Sequence, residues 1–188
     1  MLKSVFFRSR VNGLTYLIRN VWATRGMGKI PTVTEGNYTF SGLKPDMVER
    51  LDRLNQQMGR GNKLGLRNKI LLKLRGESLC GVVLNCKGEL LGYQLHYFRK
   101  GDLNKRIILV DYSFIIPAER KKGLAVRLRR HIAEYYAANG IKGLAAYIRV
   151  NNLPALKTAK SIGYQFINNP KLNHTVVSMY LDLSKYNK

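Results

Sequence analysis

Two stretches of the 188-residue chain hold residues whose types and spacing could do chemistry. The first is RKKGLA, where Arg120, Lys121 and Lys122 precede Gly123, Leu124 and Ala125. It opens a segment in which Leu124, Leu128, Ile132 and Tyr135 recur at helical spacing. A helix N-terminus already carries roughly half a positive charge and unpaired N–H groups, so a basic cluster there is repelled unless an anion offsets it. Arg127, Arg129 and Arg130 add to that cluster, and Glu119 is the single acid beside it. Gly123 and Ala125 leave room for an anion to approach the backbone closely. The competing reading is a solvated basic face that binds nothing.

The second stretch, RIILVDYSFII, is apolar at both parities. Ile107, Leu109 and Ile115 fall on one side, and Ile108, Val110, Phe114 and Ile116 on the other, the pattern of a central strand buried on both faces. Asp111 interrupts it, followed by Tyr112. Desolvation at such a place raises a carboxylate pKa toward the range in which it can accept a proton, so Asp111 is a candidate base. An aspartate held by hydrogen bonds at a wet cleft is the alternative. The remaining reactive residue types offer less. His96, His131 and His174 are far apart with no metal-ligand spacing, so no metal site is expected. Cys80 and Cys86 flank a turn, with nothing to activate either thiol and no disulfide framework, which suits a reduced, cytoplasmic chain.

The elements around these stretches follow from periodicity. LTYLIRNVW places Leu14, Leu17, Ile18, Val21 and Trp22 on one stripe of a basic amphipathic helix, and RGMGKIP after it reads as a loop. A strand is expected in GNYTFSGL, then a helix carrying Met47, Leu51 and Leu54 on one face. A second helix follows with Leu66, Ile70 and Leu74 opposed to Arg67, Lys69 and Lys73. SLCGVVLNCKGELLGYQLHYF reads as two strands joined by a turn at Asn85 and Gly88. After the central strand and basic helix come the strand KGLAAYIRV, a helix from Asn152 to Gly163, and two last strands, YQFI and HTVVSMYLDL.

This order, together with RKKGLA after the central strand and NLPALKTAKSIGY at residues 152–164, resembles the GCN5-related N-acetyltransferases, the GNAT family. The resemblance covers roughly residues 36–183. It implies an α/β fold with a mixed, mostly antiparallel sheet that splays at the central strand and is flanked by helices on both faces. It also implies transfer of an acyl group, acetyl from acetyl-CoA above all, to an amine. Arg120, Lys121, Lys122, Gly123, Leu124 and Ala125 would then hold the pyrophosphate of coenzyme A. Ile115 and Ile116 would flank its pantetheine arm, and Asn152 would either contact that arm or serve only as a helix N-cap. An amine nucleophile must lose a proton before attack, which gives Asp111 its role as base. The family's usual tyrosine acid is replaced here by Ala159, so Tyr112, Tyr164 or water would protonate the leaving thiolate, or the protein binds without transferring.

Composition widens the set of partners. Thirty-three Lys and Arg against eleven Asp and Glu give a net charge of +22, more than one coenzyme requires, so an anionic acceptor or carrier is expected. A nucleotide-linked sugar, an aminoacyl-tRNA and an acidic acyl carrier protein all fit, and a non-catalytic nucleic-acid or membrane-binding role on the same scaffold is a further alternative. Residues 1–35, in which Glu35 is the first acid, form a basic extension to a domain at 36–188. Its helix either packs on that domain or makes peripheral contact with an anionic membrane through residues 1–34. No apolar run reaches the roughly 20 residues of a membrane span.

Overall fold

A computed structural model describes residues 13–58, 63–169 and 172–186. Helix α1 (Gly13–Ala23) precedes a hairpin of β1 (Val33–Glu35) and β2 (Tyr38–Gly42). Two helices follow, α2 (Val48–Met58) and α3 (Leu66–Leu79), and then strands β3 (Cys80–Asn85), β4 (Leu90–Tyr97) and β5 (Ile107–Ile115). The chain continues with α4 (Leu124–Ala138), β6 (Gly143–Arg149), α5 (Leu153–Ser161), β7 (Gln165–Ile167) and β8 (Val176–Asp182). The strands form one sheet in the order β1-β2-β3-β4-β5-β6-β8-β7. Every pair in it is antiparallel except β5 with β6.

Local chemistry sets the boundaries. Pro45 opens a single 3-10 turn that runs into α2, as its fixed φ and missing N–H favour. In the β3–β4 turn, the Asn85 carboxamide oxygen accepts from the amides of Lys87 and Glu89 at 3.0 and 2.9 Å, and Gly88 takes a φ of +73°. The Asn152 side chain caps α5 by accepting from the Ala155 amide at 3.3 Å.

Two apolar clusters hold the layers together. On one face Leu124, Leu128 and Ile132 of α4 and Ala159 of α5 pack with Val83, Ile108, Ile148 and Met179 of the sheet. Glycine is required in β3 beneath α4, because a Cβ on Gly81 would lie 2.4 Å from Ile132 Cδ1. On the other face Val48 and Leu51 of α2 and Leu72 of α3 meet Cys80, Val82, Tyr93 and Leu95. Burial raises the Cys80 thiol above its ordinary pKa, so it is inert filling.

The periodicity of two helices misjudged which residues go inward. In α3 the buried side chains include Leu71, Leu72 and Leu79, while Leu66, Ile70 and Leu74, expected as the packing face, are exposed. In α1 Leu17 and Val21 face the core with Tyr16, whereas Leu14, Ile18 and Trp22 point to solvent. Polar residues join these apolar ones in anchoring α1. The Asn20 side chain is fully buried and accepts from the Phe98 amide at 2.6 Å. Thr24 Oγ1, also buried, accepts from Arg75 Nε at 2.8 Å. Nor is the compositional break at residue 35 a structural one. It falls in the turn of the β1–β2 hairpin, so Val33–Glu35 belong to the sheet that the following residues build. The first twelve residues of the basic extension lie outside the described part.

Because Phe98 and Asn20 are both buried, removing the acceptor of the Phe98 amide should be costly. Asn20→Ala is expected to lower stability by about 1–3 kcal/mol, read as a reduced urea midpoint at unchanged slope.

Candidate active site at the splayed strands

The parallel pairing of β5 with β6 covers only Ile107–Val110 against Gly143–Ala146. Beyond it each strand stays with its other neighbour, β5 with β4 as far as Ile115 opposite Gly92, and β6 with β8 as far as Arg149 opposite Val176. A wedge therefore opens between β5 and β6. The Ile116 amide donates to the Leu91 carbonyl at 2.9 Å, and antiparallel alternation then turns the backbone groups of Ser113 and Ile115 away from β4, into the wedge.

Asp111 stands where the strands part. Val110 pairs with His96 and Tyr112 with Leu95, so Asp111 is the extra residue of a β-bulge. The bulge also reverses the expected parity. Ile115 joins Ile108 and Val110 on the α4 face, while Tyr112 and Phe114 pack on the α2–α3 face. Asp111 is half-buried, and its negative charge, after burial itself, helps to raise the phenol pKa values of Tyr16 and Tyr97. Those two rings meet edge to face at 5.7 Å. Across the wedge, Arg99 hydrogen-bonds the Tyr147 hydroxyl of β6, lies over its ring and pairs with Asp102. Tyr16, Tyr97, Arg99 and Tyr147 were not apparent in the sequence as site residues. The parity of Tyr97 with Tyr93 and Leu95 along β4 was the one usable signal, and it needed the β4–β5 register.

At the mouth of the wedge, a 3-10 turn at Pro117–Glu119 leads to a loop with left-handed backbone at both Lys121 (φ 66°) and Gly123 (φ 75°). Among the described residues, no backbone or side-chain acceptor meets the amides of Lys121, Lys122, Gly123, Leu124 and Ala125. No acidic residue occupies the first turn of α4, and a Cβ on Gly123 would meet nothing within 4 Å. Five consecutive donors at a helix N-terminus, with open space beside Gly123, are suited to cradle an anion.

The side chains around this cradle are less available than their count suggested. Lys122 Nζ and the Tyr38 hydroxyl both donate to Glu119 Oε2, at 3.0 and 2.9 Å, and these bonds hold the Glu119 carboxyl below its ordinary pKa. Arg127 donates to Glu35 through Nε at 2.7 Å and stacks on Phe40. Arg129 is turned into the core, and Arg120 Nε donates to the Ile115 carbonyl at 3.1 Å. Lys121 stays exposed beside the cradle.

A family model for acetyltransferases (GNAT) matches residues 48–164, from the first residue of α2 to the tyrosine that follows α5. The chain belongs to the GNAT family. Solved GNAT structures agree with this in fold. The ribosomal-protein-S18-alanine N-acetyltransferase from Escherichia coli superposes with a TM-score of 0.62 at 15% identity, over 78% of this chain and 94% of that one. The spermidine N-acetyltransferase from Vibrio cholerae gives 0.62 at 17% identity, over 81% and 98%. No curated protein matches the chain. Among the described residues no His, Cys, Asp and Glu cluster could hold a metal, and no helix is long and apolar enough to cross a membrane.

The GNAT wedge gathers some of the expected residues and separates others. Asp111, Tyr112, Ile115 and Ile116 line the end of β5 on one side of the opening, and residues 120–125 close its mouth. Tyr164 is a different matter: it is buried in the core on the α4 face, and burial raises its phenol further, so it is no proton donor to the wedge. Ala159 is likewise fully buried, on the inner face of α5. Asn152 is exposed and already occupied as the cap.

Beneath the bulge lies His96, opposite Val110. Its ring is fully buried against Tyr136, with Nδ1 donating to the Leu79 carbonyl at 3.2 Å, and burial lowers its pKa from 6.5 to about 3. The folded chain thus refuses a proton that the unfolded chain accepts. Stability is expected to fall as pH drops from 6.5 toward 3, and His96→Gln should flatten that slope in urea titrations run at successive pH values.

Proposed function

We propose that this acetyltransferase uses acetyl-CoA to acetylate an amine at the β5–β6 wedge, with Asp111 as base. The observation that carries the coenzyme assignment is the run of five unpartnered amides at residues 121–125. Neutral donors fixed in space suit a pyrophosphate better than mobile cations do, because little is lost in ordering them. Lys121 adds a free cation at the same mouth. The pantetheine arm, extended and amide-bearing, suits the backbone groups of Ser113 and the Ile115 amide that the parting of β6 leaves in the wedge, with Ile116 beside them and the Ile115 carbonyl held by Arg120.

In the reaction the amine nitrogen attacks the thioester carbonyl carbon, and the C–S bond breaks as the C–N bond forms. The strand amides facing the wedge polarise the carbonyl oxygen. Asp111 takes the proton released by the amine, directly or through one water, and the leaving sulfur is protonated by Tyr112, which follows Asp111 on the same strand, or by solvent. Tyr16 and Tyr97, held neutral by burial and by the Asp111 charge, act as walls and hydrogen-bond donors around the incoming amine. Arg19 and Arg67 lie close enough to Tyr16 to oppose that rise. Cations on the acceptor side of the wedge favour an amine whose molecule also bears negative charge.

Titration calorimetry should show saturable acetyl-CoA binding by the wild type and none by Gly123→Glu/Ala125→Glu, folded by circular dichroism. Equal binding by the two would remove the cradle from the argument. Asp111→Asn should retain acetyl-CoA affinity yet lose about a hundredfold or more in kcat/KM toward amine acceptors. An unchanged rate and pH profile would show that another group, or water alone, carries the proton.

A further inference from the structure

Helices α1 and α3 each keep a row of large apolar side chains on the outside. Leu14, Ile18 and Trp22 of α1 are 67, 58 and 54% exposed, and Leu66, Ile70 and Leu74 of α3 are 74, 38 and 61% exposed. Each set runs at intervals of four residues, a continuous stripe along its helix. Packing of α1 on α3 fixes how the stripes sit. Gly13 lies against the Arg67 side chain, and Thr24 bonds Arg75, so both contacts advance in the same direction and the helices lie side by side in parallel. On α1 the exposed stripe begins one residue after the contact at Gly13, and on α3, whose regular helix runs up to a kink at Arg75, it begins one residue before the contact at Arg67. One residue is about 100° of rotation, and offsets of opposite sense on parallel helices bring both stripes to the same side. Six large apolar side chains thus share one plane, more than scattered surface hydrophobics would supply.

We propose that this two-helix plane seats the protein on an anionic lipid bilayer. Cations border it: Arg25 is exposed with its guanidinium 5.0 Å from the Trp22 ring centre, and Lys63 and Arg67 lie at the start of α3, with Lys73 further along it paired to Glu49 of α2. Helix α1 contains no acidic residue, and α3 has a single one, Glu77, which is paired with Lys29. Residues 1–12 continue the composition with Phe6, Phe7, Lys3, Arg8 and Arg10 and no acid. An apolar plane edged by Lys and Arg, with a tryptophan at the level of the cations, matches the two layers of a lipid interface, acyl chains below and anionic headgroups above. A second copy of a chain carrying +22 would bring like charges together on this face.

Trp22 is the only tryptophan, so its fluorescence reports the event directly. The full chain is titrated with vesicles of phosphatidylcholine alone and of phosphatidylcholine with phosphatidylglycerol, and binding is also read by cosedimentation. The expected result is a blue shift of Trp22 and cosedimentation with the anionic vesicles only, weakened by high salt. Leu66→Gln/Ile70→Gln/Leu74→Gln, which leaves Trp22 in place, should bind those vesicles about tenfold or more weakly while keeping the far-ultraviolet circular dichroism and acetyl-CoA affinity of the wild type. The proposal is overturned if the wild type ignores anionic vesicles, or if the α3 variant binds them equally well. It is also overturned if sedimentation shows a wild-type dimer that the α3 substitutions dissolve, since the plane then belongs to a second copy.

Discussion

A strand can hydrogen-bond two neighbours along its length only if both stay with it, and in this sheet one does not. After Val110 the strand β5 keeps β4 and loses β6. Everything that serves chemistry here depends on that parting. It leaves the backbone of Ser113 and Ile115 with no strand partner on that side, sets Asp111 at the apex of an opening instead of in a sealed core, and aims the end of β5 at the loop where α4 begins. The bulge makes the parting compatible with a continuous β4–β5 ladder, because the extra residue re-phases the strand and gives both faces apolar side chains on either side of it. Without a bulge, Tyr112 and Phe114 would exchange faces with Ile115 and no longer match their clusters.

The cradle at residues 121–125 shows how the chain manages an unfavourable concentration of charge. Read along the sequence, six cations near one helix N-terminus demand a counterion. In three dimensions the hairpin and the neighbouring turn supply acids for two of them, Glu119 for Lys122 and Glu35 for Arg127, while Arg129 leaves the surface altogether. The donors left open are mostly those of the backbone, with Lys121 and the partly engaged Arg120 beside them.

Much of the fold was legible because the elements obey simple periods. The turn residues Asn85 and Gly88, the cap at Asn152 and the apolar rows of α4 all sit where their chemistry places them, whereas the bulge at Asp111 re-phased the end of β5. The failures share one cause. A sequence shows that a stripe is apolar but not that a surface exists to receive it, so Leu66, Ile70 and Leu74 read as core although Leu71 and Leu72 take that position. In α1 the anchors are Asn20 and Thr24, whose burial depends on partners at Phe98 and Arg75 that no local pattern announces. The site divides along the same line. The loop 120–125 and Asp111 are contiguous features that a sequence can propose, whereas the tyrosines Tyr16, Tyr97 and Tyr147 are brought together from three distant elements by strand register and helix docking.

The shared oxygen of Glu119 joins Tyr38 of β2 to Lys122 of the loop. The first hairpin is thereby a brace on a segment whose backbone holds two left-handed residues, and part of the entropy of ordering that segment is already lost when the sheet forms. On the proposed coenzyme reading, affinity at the loop depends partly on residues that touch no ligand, so changes in the hairpin retune it while the loop's own sequence stays the same.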